Sequence, residues 1–116
     1  ECIIFDEPTA MLDPKGRAEI MAIIDELHKD GITVVLITHF MEEAVKADRI
    51  IIMDDAKVLL DGTPEEVFAK EETLLEANLE IPMAAMLATK LRKRGIKVPN
   101  DVITVERLVE YVCQFK

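Results

Sequence analysis

Two acidic residues, Asp6 and Glu7, directly follow an unbroken apolar run, Cys2-Ile3-Ile4-Phe5. Such a run is typical of a strand buried on both faces of a parallel sheet. Ligands of open α/β sheets bind at the carboxyl ends of the strands, where both acids would lie. An Asp there can hold Mg²⁺ through water, and the next acid can orient or deprotonate a water that attacks a phosphate. The same pattern also arises where a strand simply meets solvent at two charges.

A second candidate group is His39, which follows another apolar run over residues 32–38. If the two runs are neighbouring parallel strands, Glu7 and His39 leave the same edge of the sheet, and the chain between them is long enough for one helical crossover. A single His after a strand is more often a cap or a surface residue. Its spacing from the Asp-Glu pair makes it a candidate member of the same site.

The first half of the chain alternates between strand and helix patterns. This order predicts an α/β fold with a parallel sheet and crossover helices. A link of two or three residues between the last two strands predicts a hairpin. The predicted strands cover 2–6, 32–38, 49–54 and 57–61, and the predicted helices cover 14–30 and 41–47.

After Gly62 only helical patterns remain. Thr63, Pro64 and Glu66 have the types and spacing of a helix start with a capping box. Helices are predicted to run to about residue 70, over 71–77, over 83–94 and from Thr104 onward. We therefore predict two domains, an α/β part over residues 1–62 and a small all-helical part over 63–116.

Three segments together resemble the second half of an ATP-binding cassette (ABC) ATPase: EPTAMLDP, LITHFMEEA and RIIIMDDAKVLLDGTPEEVF. The resemblance implies a P-loop NTPase fold with ATP and Mg²⁺ as cofactors. It implies that Asp6 binds Mg²⁺ through water, that Glu7 is the catalytic base and that His39 contacts the γ-phosphate. It also assigns residues 10–13 to the D-loop, which crosses to a partner subunit, and so places Asp13 near the nucleotide. Met11 departs from the small residue commoner there, which leaves details of subunit coupling open.

The tail adds a finer resemblance, carried by LLEANLEIP, LATKLRKRGIKVP and ITVERLVEYVC. These segments are similar to the C-terminal extension of the ATPase subunits of energy-coupling factor (ECF) transporters. The resemblance implies an ATPase that powers import of a vitamin or a transition-metal ion. The implied partners are a second ATPase subunit, in a homodimer or a heterodimer, and a transmembrane coupling subunit. The implied location is the cytoplasmic face of the cell membrane, with membrane contact only through partners.

Composition excludes some functions and leaves others open. The formal net charge of −9 disfavours nonspecific binding to nucleic acid, and two distant cysteines exclude a disulfide scaffold. The sequence contains no G-x-x-x-x-G-K-[ST] phosphate loop, no LSGGQ-like signature and no recognisable Q-loop. We therefore expect a C-terminal fragment of such an ATPase that is catalytically inactive by itself.

Two alternative functions remain open at this point. The chain could be a non-catalytic dimerisation module, or part of an ABC-type ATPase of DNA maintenance. Two apolar stripes in the tail bear on the first alternative, because they could bury against each other or against a partner. They comprise Met83, Met86, Leu87 and Leu91 in one helix and Val105, Leu108, Val109 and Val112 in the other.

Overall fold

The computed structural model describes residues 1–114 and contains four strands and six helices in that range. They group into two compact units, one over Glu1–His39 and one that begins at Phe40. In chain order the elements are β1 (Cys2–Asp6), α1 (Pro14–Lys29), β2 (Thr33–Ile37), α2 (Met41–Ala44), β3 (Ile50–Asp54), β4 (Lys57–Gly62), α3 (Pro64–Phe68), α4 (Glu71–Glu76), α5 (Met83–Lys93) and α6 (Val105–Cys113).

The first unit is a β–α–β crossover. Strands β1 and β2 pair in parallel, from Cys2 opposite Thr33 to Asp6 opposite Ile37, so the two apolar runs are neighbouring strands. Helix α1 begins at Pro14, whose fixed φ suits a first helical position. It ends before Gly31, whose φ of +85° lies in the left-handed region that follows many helices. The two carboxyl ends of the strands consequently lie side by side.

One face of this two-stranded sheet carries exposed apolar side chains. Ile4, Val35 and Ile37 alternate with half-buried residues along the two strands, as expected from the two-residue period of a strand. The half-buried face carries Ile3, Phe5, Val34 and Leu36. The sheet therefore has two distinguishable faces.

The second unit begins with a short helix and an antiparallel hairpin. Helix α2 stops at Ala44 rather than at the predicted residue 47, because the next residues form i→i+3 hydrogen bonds of the turn type. Strands β3 and β4 pair from Ile50 opposite Gly62 to Asp54 opposite Lys57, with an irregularity after Ile52. The predicted hairpin is thus present, and in residues 1–114 β3 and β4 form a separate two-stranded sheet.

The hairpin and the helices after it share one hydrophobic core. Ile50 and Ile52 of β3 pack in the same cluster as Val67 and Phe68 of α3. The other buried members of this cluster are Met41, Leu74, Ala85 and Ile103. The division of the chain into domains at residue 62 stays a prediction.

The tail helices are fixed by caps and by a second small cluster. Thr63 and Glu66 form the predicted capping box of α3, and Thr104 caps α6. Ala88, Val98 and Val102 form the buried cluster, with Leu91, Leu108 and Tyr111 packed against it.

The predicted apolar stripes of the tail divide in the structure. Leu91 and Leu108 point into the small cluster, while Met83 and Leu87 of α5 and Val105, Val109 and Val112 of α6 are exposed. Intrachain burial therefore accounts for only part of each stripe. Within residues 1–114, no helix combines the length and apolar character needed to cross a membrane.

Candidate functional site

The centre of the candidate site is a contact between Glu7 and His39 at the carboxyl edge of the β1–β2 sheet. His39 Nδ1 lies 2.9 Å from Oε2 and 3.1 Å from Oε1 of Glu7. The His39 side chain is 60% exposed and that of Glu7 is 37% exposed, so water reaches both. The two residues that the sequence predicted to share a sheet edge are thus in direct contact.

The strand pairing explains why these side chains meet. The last ladder pair is Asp6 opposite Ile37, and the N–H of Glu7 donates to the Ile37 carbonyl at 2.9 Å. This bond fixes the backbone of Glu7 against β2, and His39 follows Ile37 by two residues. The contact therefore depends on the register of the sheet as well as on the two side chains.

A tight turn follows Glu7 and leads away from the sheet. The N–H of Ala10 donates to the Glu7 carbonyl at 3.3 Å, and the N–H of Leu12 donates to the Thr9 carbonyl at 3.1 Å. Thr9 is buried to 1% exposure, although it lies in a loop. The sequence analysis did not single out Thr9, and a Thr within a Glu-Pro-Thr turn carries no pattern that separates a buried residue from an exposed one.

Asp6 lies at the C-terminal end of β1, next to the Glu7–His39 pair in the chain. Its side chain is exposed and makes no hydrogen bond or ion pair with another residue of the segment 1–114. Within that segment no group of three or more His, Cys, Asp or Glu residues could hold a metal. A single carboxylate at this place still suits Mg²⁺, which takes one or two carboxylates and completes its shell with water and phosphate oxygens.

Asp13 has a structural role that the sequence analysis did not assign. Its Oδ1 accepts a hydrogen bond from the N–H of Gly16 at 2.8 Å, which makes it the N-cap of α1. An N-cap of this type typically stabilises a helix by about 0.5–2 kcal/mol. The predicted place of Asp13 near the nucleotide stays a prediction. Met11, in the same loop, is 96% exposed.

The ionisable groups with shifted pKa values lie in the second unit. Arg49 donates two hydrogen bonds to the Asp61 carboxylate, at 2.8 and 2.6 Å, and these bonds lower the pKa of Asp61. Arg107 bonds Asp101 and Glu110 in the tail, and these bonds raise its own pKa. The first pair joins the residue before β3 to β4, and the bond of Arg107 with Asp101 joins α6 to the loop before it.

Comparison with known families identifies the tail. Residues 82–116 match the family model of the energy-coupling factor transporter EcfA1 C-terminal domain. This range includes α5, the cluster around Val98 and Val102, and α6. The resemblance of the tail to an ECF extension is confirmed.

Relatives match nearly the whole chain. The energy-coupling factor transporter ATP-binding protein EcfA1 of Caldanaerobacter subterraneus subsp. tengcongensis is 57% identical over 98% of the chain. The protein of the same name from Clostridioides difficile is 50% identical over 98% of the chain. The chain spans 42% of the length of each of these relatives.

A solved structure supports the same assignment. CbiO1 of Clostridium perfringens, described as part of the ABC transporter complex cbiONQ, is 39% identical with a TM-score of 0.54. The match covers 76% of this chain and 36% of that protein. The α/β fold with a small helical end, predicted from the sequence, is confirmed. Over nearly its whole length, the chain is therefore similar to the ABC-type ATP-binding proteins of energy-coupling factor transporters.

Proposed function

We propose that this chain supplies the magnesium-binding acid, the base and the phosphate-contacting histidine of an ATPase that powers import by an energy-coupling factor transporter. The cargo in this proposal is a vitamin or a transition-metal ion. The observation that carries the proposal is the contact of His39 Nδ1 with both carboxylate oxygens of Glu7, at the sheet edge where Asp6 also ends its strand. The names of the relatives support transport over the alternative of DNA maintenance.

Glu7 is the base in this proposal. Its carboxylate is one-third exposed and can accept a proton from a water that attacks the γ-phosphate. Proteins catalyse phosphoryl transfer mainly by positioning the reacting groups and by stabilising charge. A base for this reaction is therefore a carboxylate held at a fixed place. The two hydrogen-bonding distances to His39 support this role for Glu7.

His39 has two roles in this proposal. Its Nδ1 contacts the Glu7 carboxylate, and in this proposal its ring also contacts the γ-phosphate. A ring held by a carboxylate has a defined orientation, and a positioned hydrogen-bond donor stabilises charge that develops in a transition state. His39 thereby links the base to the phosphate that the base acts on.

Asp6 would hold Mg²⁺ through water. Its exposed carboxylate has no partner among residues 1–114 and is the hard oxygen donor that this ion prefers. When bound, Mg²⁺ supplies neutralisation of the charge on the phosphate oxygens. Neither a phosphate loop nor a signature motif is part of the 116 residues, so we propose that the ATP phosphates are bound by residues outside them and that this chain alone does not hydrolyse ATP.

The tail is the proposed contact with a second ATPase subunit. Val105, Val109 and Val112 recur at spacings of four and three residues on α6 and are half exposed. On α5, Met83 and Leu87 are exposed one turn apart. The same exposed apolar side chains support the alternative in which the isolated chain acts as a non-catalytic association module. We further propose that a transmembrane coupling subunit holds the ATPase at the cytoplasmic face of the membrane.

The test is ATP turnover by a full-length protein that carries this sequence and the substitution Glu7→Gln. The change keeps the size of the side chain and removes the base, so we expect turnover to fall by roughly 10²–10⁴-fold while ATP binding persists. Glu19→Gln is the matched control, because Glu19 is an exposed residue of α1 that forms a 4.0 Å ion pair with Lys15. Normal turnover in the Glu7 variant would contradict the proposed role of the base.

A further inference from the structure

Glu7 has a left-handed backbone conformation, with φ of +50°. In residues 1–114, three other non-glycine residues have positive φ, and all three lie in turns that ordinarily use it. Asp55 and Ala56 form the two-residue link of the β3–β4 hairpin, and Asn78 follows the last turn of α4. Glu7 differs from them, because it directly continues a parallel strand.

The sign of φ decides on which face of the sheet the side chain of residue 7 emerges. The N–H of Glu7 is held in the ladder by its bond to the Ile37 carbonyl. Rotation about the N–Cα bond then moves Cβ from one side of the pleat to the other. With the negative φ of an ordinary strand, Glu7 would alternate with Asp6 and emerge on the opposite face.

We propose that the left-handed backbone of Glu7 is the device that turns its carboxylate onto the Asp6 face of the sheet and towards His39. Its importance for catalysis rests on the proposed role of Glu7 as the base. The placement itself follows from the backbone and from the two hydrogen-bonding distances to His39. A residue in regular strand geometry at this position would separate the base from the histidine.

This conformation is opposed by local sterics, so the surroundings must hold it. An L-residue other than glycine disfavours the left-handed region, and a following proline disfavours helical conformations of the residue before it. Pro8 is that following proline. Three hydrogen-bonding contacts of Glu7 offset these costs. Its N–H donates to the Ile37 carbonyl, its carbonyl accepts from the N–H of Ala10, and its carboxylate contacts His39 Nδ1. Strain of this kind concentrates at functional sites.

A comparison of two substitutions isolates the backbone. Glu7→Ala and Glu7→Gly both remove the carboxylate, but only glycine adopts positive φ without strain. We expect the unfolding equilibrium constant of the 116-residue chain to be roughly fivefold smaller for Glu7→Gly than for Glu7→Ala. Thr33, an exposed residue of β2, is the control position, where Thr33→Gly should be less stable than Thr33→Ala.

The wild-type chain gives a second measurement that needs no variant to fold. We expect nuclear Overhauser effects between the γ protons of Glu7 and the ring protons of His39. The inference would be overturned if Glu7→Gly were less stable than Glu7→Ala. It would also be overturned if no nuclear Overhauser effects between Glu7 and His39 were observed. Neither experiment involves ATP, so a failed Glu7→Gln turnover test would remove the base role and leave this placement standing.

Discussion

His39 Nδ1 lies 2.9 Å from Oε2 of Glu7, although the two residues are 32 positions apart in the sequence. The contact exists because one helical crossover returns the chain in register, so that Ile37 pairs with Asp6 and the two side chains beyond them meet. A carboxylate and an imidazole at hydrogen-bonding distance can act as one unit, in which each depends on the other for its position. The first prediction tests the histidine of this unit.

We expect His39→Ala to lower ATP turnover of a full-length protein carrying this sequence by about 10²–10³-fold. The substitution removes a donor from the transition-state charge and also releases the Glu7 carboxylate. Steady-state release of phosphate is the measurement. His28→Ala is the matched control, since His28 lies in the last turn of α1, away from the carboxyl edge. Unchanged turnover for His39→Ala would mean that His39 only caps the strand end.

The isolated 116-residue chain should bind Mg-ATP weakly or not at all. Asp6 offers one carboxylate for the metal, and the sequence contains no phosphate loop whose N–H groups would hold the β-phosphate. Titration calorimetry is the measurement, with a full-length protein as the positive control. Micromolar affinity of the isolated chain would show that another set of its residues binds the nucleotide.

The sequence predicted the elements well because local signals agreed with the final packing. Pro14 and Gly31 mark the ends of α1, the capping box at Thr63 marks α3, and Gly95 follows α5, so these helices lie within one or two residues of their predicted bounds. The pairing of β1 with β2 followed from a single crossover helix. Signals of this kind depend on residues that are close together in the sequence, so they can be recognised without the structure.

The direction of individual side chains and the strain of the backbone could not be predicted from the sequence. Leu108 and Val109 are both apolar neighbours on one helix, and only the position of Val98 and Val102 decides that Leu108 is the one that packs inward. The positive φ of Glu7 goes with contacts to Ile37 and His39, which are distant in the sequence, and Thr9 is buried although it lies in a loop. Such properties arise from tertiary packing, which a periodic pattern does not contain.

This difference between Leu108 and Val109 gives a prediction about self-association through the tail. Val109 is 54% exposed, so Val109→Glu should weaken association and leave the fold intact. Leu108→Glu would place a charge against the buried cluster of Ala88, Val98 and Val102 and should destabilise the tail, because Leu108 is partly buried there. Light scattering over a range of concentrations, with circular dichroism for the fold, measures both effects. A chain that is monomeric at every concentration would contradict self-association.

The ion pair between Arg49 and Asp61 predicts an acid-dependent contribution to stability. Its hydrogen bonds lower the pKa of Asp61 below the ordinary value of 3.8, so the folded state binds this proton less readily than the unfolded state. The stabilisation is therefore fully present above the unfolded pKa and is lost as the pH falls through the folded pKa. Denaturation by urea between pH 6 and pH 2 should show a smaller acid-dependent loss in Asp61→Asn than in the wild type. Identical pH profiles would show that the pair contributes no net stability.

The most direct test of a Glu7–His39 unit is a double-mutant cycle on ATP turnover in a full-length protein. Residues that act as one unit give non-additive losses, because the first substitution already removes what the second would disrupt. We predict that Glu7→Gln combined with His39→Ala is no slower, within a factor of about three, than the slower of the two single variants. Losses that multiply, so that the double variant is slower by the product of the two single effects, would contradict the account.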